Sequence, residues 1–200
     1  MVYNIFEPHE MQTAFDRLLE FIHQADDHLL CGVLGARHLF HLLAQYDKTD
    51  LALHMITRPD GPSYGQWLLG DDTTLREIFE TEGIERQSQN HHFWGDIISF
   101  FIQELVGIKP NPHLRDRFEL EVSPAIAESL TFAKVSYILP TGTFVAEWHR
   151  TDTGIDFTVT VPPKAHGSFR VPHGYEMANG VKAIDLTPGT VTFPLIRSSR

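Results

Sequence analysis

One stretch of the sequence, Gly70-Asp71-Asp72-Thr73-Thr74-Leu75-Arg76-Glu77, has residues of the right type and spacing for chemistry. Thr74 and Glu77 have the S/T-x-x-E spacing of a capping box, in which each side chain satisfies a backbone donor at a helix start. Glu77 also suits catalysis. Glycosidic bonds are hydrolysed by pairs of carboxyl groups, and in inverting enzymes one of the pair activates a water on the far face of the sugar. On pattern alone both readings stand. Tyr64 and Trp67, in Pro62-Ser63-Tyr64-Gly65-Gln66-Trp67, are aromatics that either stack on sugar faces or fill a core. Asn90-His91-His92 follows, and His91 reads either as a ligand contact or as a hydrogen-bonded residue at a helix start. Adjacent histidines on a helix project about 100° apart and do not share a metal readily. No HExxH, zinc-finger set or calcium loop occurs, and neither does G-x-S-x-G, G-x-G-x-x-G or a P-loop. No metal and no cofactor is therefore expected. Cys31 is the single cysteine, which excludes an intrachain disulfide and reads as a small apolar residue.

Two kinds of element must position these side chains. Residues 1–107 hold 3 of the 12 prolines. Met11, Phe15, Leu18, Leu19 and Ile22 recur at helical spacing behind Pro8 and Glu10. Val33 to Leu43 and Leu51 to Thr57 predict two more helices, the second stopped by Arg58-Pro59-Asp60-Gly61-Pro62. Thr73 to about Glu82 predicts a further helical segment. Asn90 is expected to cap a long helix, His91 to Val106, with Phe93, Trp94, Ile97, Ile98, Phe101 and Leu105 inward and Gly107 at the left-handed position beyond its end. Lys109-Pro110-Asn111-Pro112 is the expected linker. Beyond it the apolar period becomes two, as in Phe118, Leu120 and Val122, in Phe144, Ala146 and Trp148, and in Phe157, Val159 and Val161. Turns at Leu139–Thr143 and Arg150–Gly154 predict hairpins, and five to eight short strands predict an antiparallel sandwich. The expected domains are a helical segment, 1–107, and a β-sandwich, 108–200.

Charge divides with the prolines. Residues 1–107 carry 17 acidic and 6 basic side chains, whereas 108–200 carry 9 and 10. So acidic a face repels phosphate backbones and argues against nucleic acid and anionic membranes as partners, while it tolerates a neutral sugar. No basic and apolar leader follows Met1, and the most apolar stretch, Ile97 to Ile108, is interrupted by Gln103 and Glu104. The expectation is a soluble, cytoplasmic protein.

Several segments together resemble the C-terminal portion of bacterial α-L-rhamnosidases, glycoside hydrolase family seventy-eight. Cys31-Gly32-Val33-Leu34-Gly35 resembles T-G-F-L-G, and Arg58 to Trp67 resembles Y-P-S-W-G-Y. Asp72 to Glu77 resembles A-T-T-L-W-E, and Ser88 to Gly95 resembles S-x-N-H-x-x-F-G. Leu105 to Pro110 resembles L-A-G-I-R-P, and Leu130 to Tyr137 resembles L-x-W-A-x-G-S-Y. Thr143 to Trp148 and Val159 to Pro163 follow G-x-I-x-S-x-W and V-x-I-P-P. No single motif is specific, but their order is.

The resemblance implies an α+β fold, with the last helices of an (α/α)6 toroid followed by a jelly-roll-like β-sandwich. It implies an inverting hydrolase acting on terminal α-L-rhamnose. Glu77 then corresponds to the general base, His91 to a rhamnose contact with Asn90 beside it, and Tyr64 to an aromatic lining the sugar pocket, with Trp67 nearby. Two departures are visible: Arg76 stands where the motif has Trp, and the family's D-x-x-x-R-x-E general-acid motif occurs nowhere in the chain. The expectation is a partial active site that needs a missing N-terminal toroid chain, with an apolar surface on residues 9–57 that favours a homodimer or a partner chain. The alternatives are a non-catalytic carbohydrate-binding or assembly module, or a complete small helical domain in which Glu77 is only a cap.

Overall fold

The structure, a computed structural model, describes residues 5–70, 73–79, 87–110, 116 and 118–198. It divides into two compact units, Met1–Ile97 and Ile98–Arg200. No helix among the described residues is long and apolar enough to cross a membrane.

The first unit contains α1 (Met11–Gln24), α2 (Val33–Gln45), α3 (Thr49–Thr57) and α4 (Tyr64–Leu69). The apolar stripe predicted for α1 is used: Phe15 and Ile22 are buried, and Phe15 stacks on Tyr46 at 4.0 Å. From α2 and α3, Phe40, Leu43, Ala52, Met55 and Ile56 fill the core. The loop after α1 turns on Asp26 and Asp27, whose φ angles of 52° and 56° lie in the left-handed region that aspartate tolerates. Arg58 pins this loop. Its guanidinium donates to Asp26 O at 2.8 Å and grips the Asp60 carboxylate through Nε at 3.0 Å and Nη2 at 2.8 Å. That pairing holds the Asp60 carboxyl well below the usual carboxylate range. His28 also approaches Asp60, at 3.1 Å. The Arg58–Pro62 turn read from the sequence is thus a clamp between two loops.

α4 starts on Ser63, whose Oγ accepts from Gln66 N at 3.1 Å and whose hydroxyl donates to Arg58 O at 2.7 Å. Gly65 sits where a Cβ would lie 2.2 Å from Arg58 O. Only glycine allows this approach of α4 to the end of α3.

Two predicted helices change. Residues 73–79 carry no helix, and residues 80–82 of that expectation lie outside the described residues. The capping box does not form, because its donors and acceptors are used across the chain: the Thr74 hydroxyl donates to Gln89 O, and Glu77 N donates to Ser88 O at 3.0 Å. The helix expected from His91 begins instead as a 3-10 turn, His92–Asp96. It continues as α5 (Ile97–Phe100) and ends as a π turn, Phe101–Leu105. His91 rather than Asn90 precedes its first turn, and no side chain caps it. The His91 amide, a donor that a helix start leaves free, is taken by Leu75 O at 2.7 Å. The tighter 3-10 start also shifts the phase. Trp94, Ile97, Phe100 and Leu105 are buried, whereas Phe93 and Ile98, predicted to face inward, are exposed.

The second unit is a two-sheet sandwich. One sheet has the order β3 (Phe132–Leu139), β4 (Gly142–Arg150), β5 (Gly154–Val161), β9 (Gly189–Arg197), β7 (Tyr175–Glu176). The other runs β1 (Ile108–Pro110), β2 (Glu119–Val122), β6 (His166–Arg170), β8 (Ala183–Leu186). Neighbours are antiparallel except β2 and β6, which run parallel. The period-two residues read from the sequence do meet: Phe144, Ala146, Trp148, Phe157, Val159, Leu120 and Val122 share one buried core. Phe157 and Phe169 meet at 4.8 Å, and Phe169 stacks on Phe193. The terminal turn of the preceding helix is tied in by the Trp148 indole, which donates to Leu105 O at 2.8 Å. Gly107 has φ +85°, as its predicted position beyond the helix end requires.

Two substitutions check these ties. Gly65→Ala should lower stability by about 1–3 kcal/mol, the usual cost of overpacking, read as a fall in thermal midpoint. Arg150 donates to Leu130 O at 3.1 Å and Ala127 O at 2.7 Å. Arg150→Met should therefore cost about 2–3 kcal/mol through lost charged hydrogen bonds, read by urea denaturation of the whole chain.

Candidate active site

Glu77 is exposed, yet its main chain is held on both sides. Its amide donates to Ser88 O at 3.0 Å. Its carbonyl accepts from the Trp94 indole Nε1 at 3.1 Å. Its carboxylate Oε2 accepts from Ser88 N at 3.1 Å. With Leu75 O to His91 N and the Thr74 hydroxyl to Gln89 O, the segments 74–77 and 88–91 are laced into a short irregular ribbon. Residues 13 and 14 positions apart in sequence, Glu77 with Asn90 and His91, are thereby brought onto neighbouring segments. Asn90 is exposed and His91 half-buried.

Tyr64 and Trp67 lie behind this ribbon, not on its solvent side. They are only 8% and 3% exposed. Tyr64 meets Trp67, Phe79 and Trp94 edge-on at 5.6, 6.2 and 5.9 Å. Trp67 stacks on Phe79 at 4.3 Å and 16°. The Tyr64 hydroxyl donates to Trp94 O at 3.0 Å. Burial, with the Asp96 charge nearby, pushes that hydroxyl well above the ordinary tyrosine range, so it remains a donor. The two aromatics thus fill the core reading of the sequence in this chain and support the ribbon that carries Glu77, Asn90 and His91.

Sequence reasoning did not single out Ser88 or the Trp94 indole as partners of Glu77. No local signal marks them: both bonds span 11 to 17 residues. Among the described residues, no group of three or more His, Cys, Asp or Glu is placed to hold a metal ion. An exposed carboxylate held in place with an amide and an imidazole on the neighbouring segment can accept a proton from a bound water and hydrogen-bond a polyol.

Comparisons with known proteins bear on the family and the fold. Residues 1–105 match the family described as the bacterial alpha-L-rhamnosidase 6 hairpin glycosidase domain. Residues 118–183 match the bacterial alpha-L-rhamnosidase C-terminal domain. An alpha-L-rhamnosidase from Alteromonas sp. (strain LOR) is 27% identical over 193 residues, covering 92% of this chain and 20% of that protein. One from Formosa agariphila is 30% identical over 138 residues, covering 68% of this chain and 14% of that protein. The chain therefore spans about a fifth or less of the length of these curated relatives. Among solved structures, alpha-L-rhamnosidase from Dictyoglumus thermophilum superposes with TM-score 0.83 at 20% identity, over 98% of this chain and 24% of that one. The Streptomyces avermitilis alpha-L-rhamnosidase complexed with L-rhamnose superposes with TM-score 0.75 at 22% identity, over 91% of this chain and 19% of that one. These two likenesses show the fold, helices followed by β-sheets. With the match over residues 1–105, the chain belongs to the bacterial alpha-L-rhamnosidase family.

Proposed function

We propose that this chain supplies the C-terminal part of an inverting glycoside hydrolase for terminal α-L-rhamnose, with Glu77 as its general base. The observation that carries the reading is the Glu77 carboxylate itself: solvent-exposed, held by Ser88 N, and brought beside the segment of Asn90 and His91. In inverting hydrolysis such a carboxylate takes the proton of a water attacking the sugar, while a second carboxyl protonates the leaving oxygen. In this reading Asn90 and His91 hydrogen-bond the sugar hydroxyls. Tyr64 and Trp67 form the buried side of the site and hold its shape. The second carboxyl is the missing partner, since the family's acid motif does not occur in the sequence. Losing a positioned acid costs about 10²–10⁴ in rate.

A second observation supports the view that the helical unit works as part of a larger assembly. An apolar groove of about 480 Å³ opens between α1 and α2, lined by Leu18, Phe21, Leu30, Cys31, Leu39 and Met55. Phe21, Leu30 and Leu34 are more than half exposed. Such a surface is usually covered. We assign to it the helical hairpins that a six-hairpin domain requires and these residues do not provide. A homodimer is the other way to cover it.

Glu77→Gln should abolish any release of aryl alcohol from an aryl α-L-rhamnoside while leaving L-rhamnose binding by calorimetry within severalfold of the native chain. Full turnover by the variant would defeat the base assignment, and absence of rhamnose binding by the native chain would favour a pure assembly module. For the groove, the native chain should bind an environment-sensitive apolar dye or self-associate in sedimentation. Phe21→Glu with Leu30→Glu should reduce both, and a dye-silent monomer would sink the assignment.

A further inference from the structure

We infer that Trp94 is the positioning residue for Glu77, acting through a single indole N–H and not through ring packing alone. The inference rests on the reading of Glu77 as the base, and it concerns a residue that reading does not use. Trp94 is 3% exposed, and its Nε1 reaches out of the aromatic cluster to Glu77 O at 3.1 Å. Trp94 is itself fixed: the Tyr64 hydroxyl donates to its carbonyl at 3.0 Å, and its ring meets Phe79 at 4.8 Å and Trp67 at 5.8 Å. A chain of two hydrogen bonds therefore runs from the Tyr64 hydroxyl through Trp94 to the Glu77 main chain. It matters because residues 73–79 have no helix or strand ladder to hold them. In an irregular segment, each backbone group needs a partner from elsewhere, and losing it releases the segment locally.

Trp67 provides an internal control. It lies in the same cluster and is equally buried, at 3%. Its Nε1 is buried without a hydrogen-bond partner among the described residues. Replacing either tryptophan by phenylalanine removes the same atoms, but only Trp94→Phe removes a hydrogen bond to the Glu77 carbonyl.

The experiment is amide hydrogen exchange by NMR on the full chain. Trp94→Phe should speed exchange at the Glu77, Ser88 and His91 amides by roughly fivefold, the equivalent of one lost neutral hydrogen bond, with α2 amides unchanged. Trp67→Phe should not. Should Trp94→Phe fail to fold, Tyr64→Phe reads the same chain one bond further back, and the same three amides should loosen. Equal loosening in both tryptophan variants, or none in either, would overturn the positioning role and leave only ring packing. L-rhamnose calorimetry separates this from the functional reading. If the native chain binds rhamnose and Trp94→Phe weakens it severalfold at an unchanged thermal midpoint, both stand. If the native chain does not bind but the three amides still loosen, the tie stands and the sugar site falls.

Discussion

Four buried rings, Tyr64, Trp67, Phe79 and Trp94, are the constraint on which the candidate site depends. They come from α4, from the irregular segment after it and from the 3-10 turn, which share no hydrogen-bond ladder. Aromatic contacts of this kind contribute about 0.5–1.5 kcal/mol each beyond the area they bury. Three segments without mutual regular structure are thereby given one geometry. The polar edges of the rings then finish the work, since Tyr64 and Trp94 each spend their donor on a main-chain carbonyl. Glu77 stays exposed because the apolar anchoring is done two residues later, by Phe79.

The helix after His91 is likewise tied to other segments at both ends. Its start gives up the His91 amide to Leu75 O. Its end gives Leu105 O to the Trp148 indole and Glu104 O to Ala125 N. These are groups that the ends of a helix leave without an intrahelical partner. The 3-10 and π turns mark where they are spent on other segments. Glu104, buried at 3%, is tolerated within the π turn because Lys109 Nζ lies 3.0 Å from its carboxylate.

The groove between α1 and α2 is apolar and open, and the D-x-x-x-R-x-E motif does not occur in the sequence. Both absences fit a chain that covers about a fifth of its relatives' length. The acidic charge of residues 1–107 opposes the approach of polyanions.

The period-two stretches, the hairpin turns at 139–143 and 150–154, the glycine at 107 and the apolar stripe of α1 were legible in the sequence, because each is decided by neighbours a few residues away. So was the order of motifs that marks the family. The capping box at Thr74 and Glu77 was legible too, and misleading: the local pattern is satisfied equally well by partners at Ser88 and Gln89. Whether Tyr64 and Trp67 face sugar or core, where the helix after Asn90 begins, and that Trp94 reaches Glu77 were decided only by tertiary structure. Those choices depend on which backbone donors and acceptors meet across 11 to 30 residues, and no local spacing encodes that pairing.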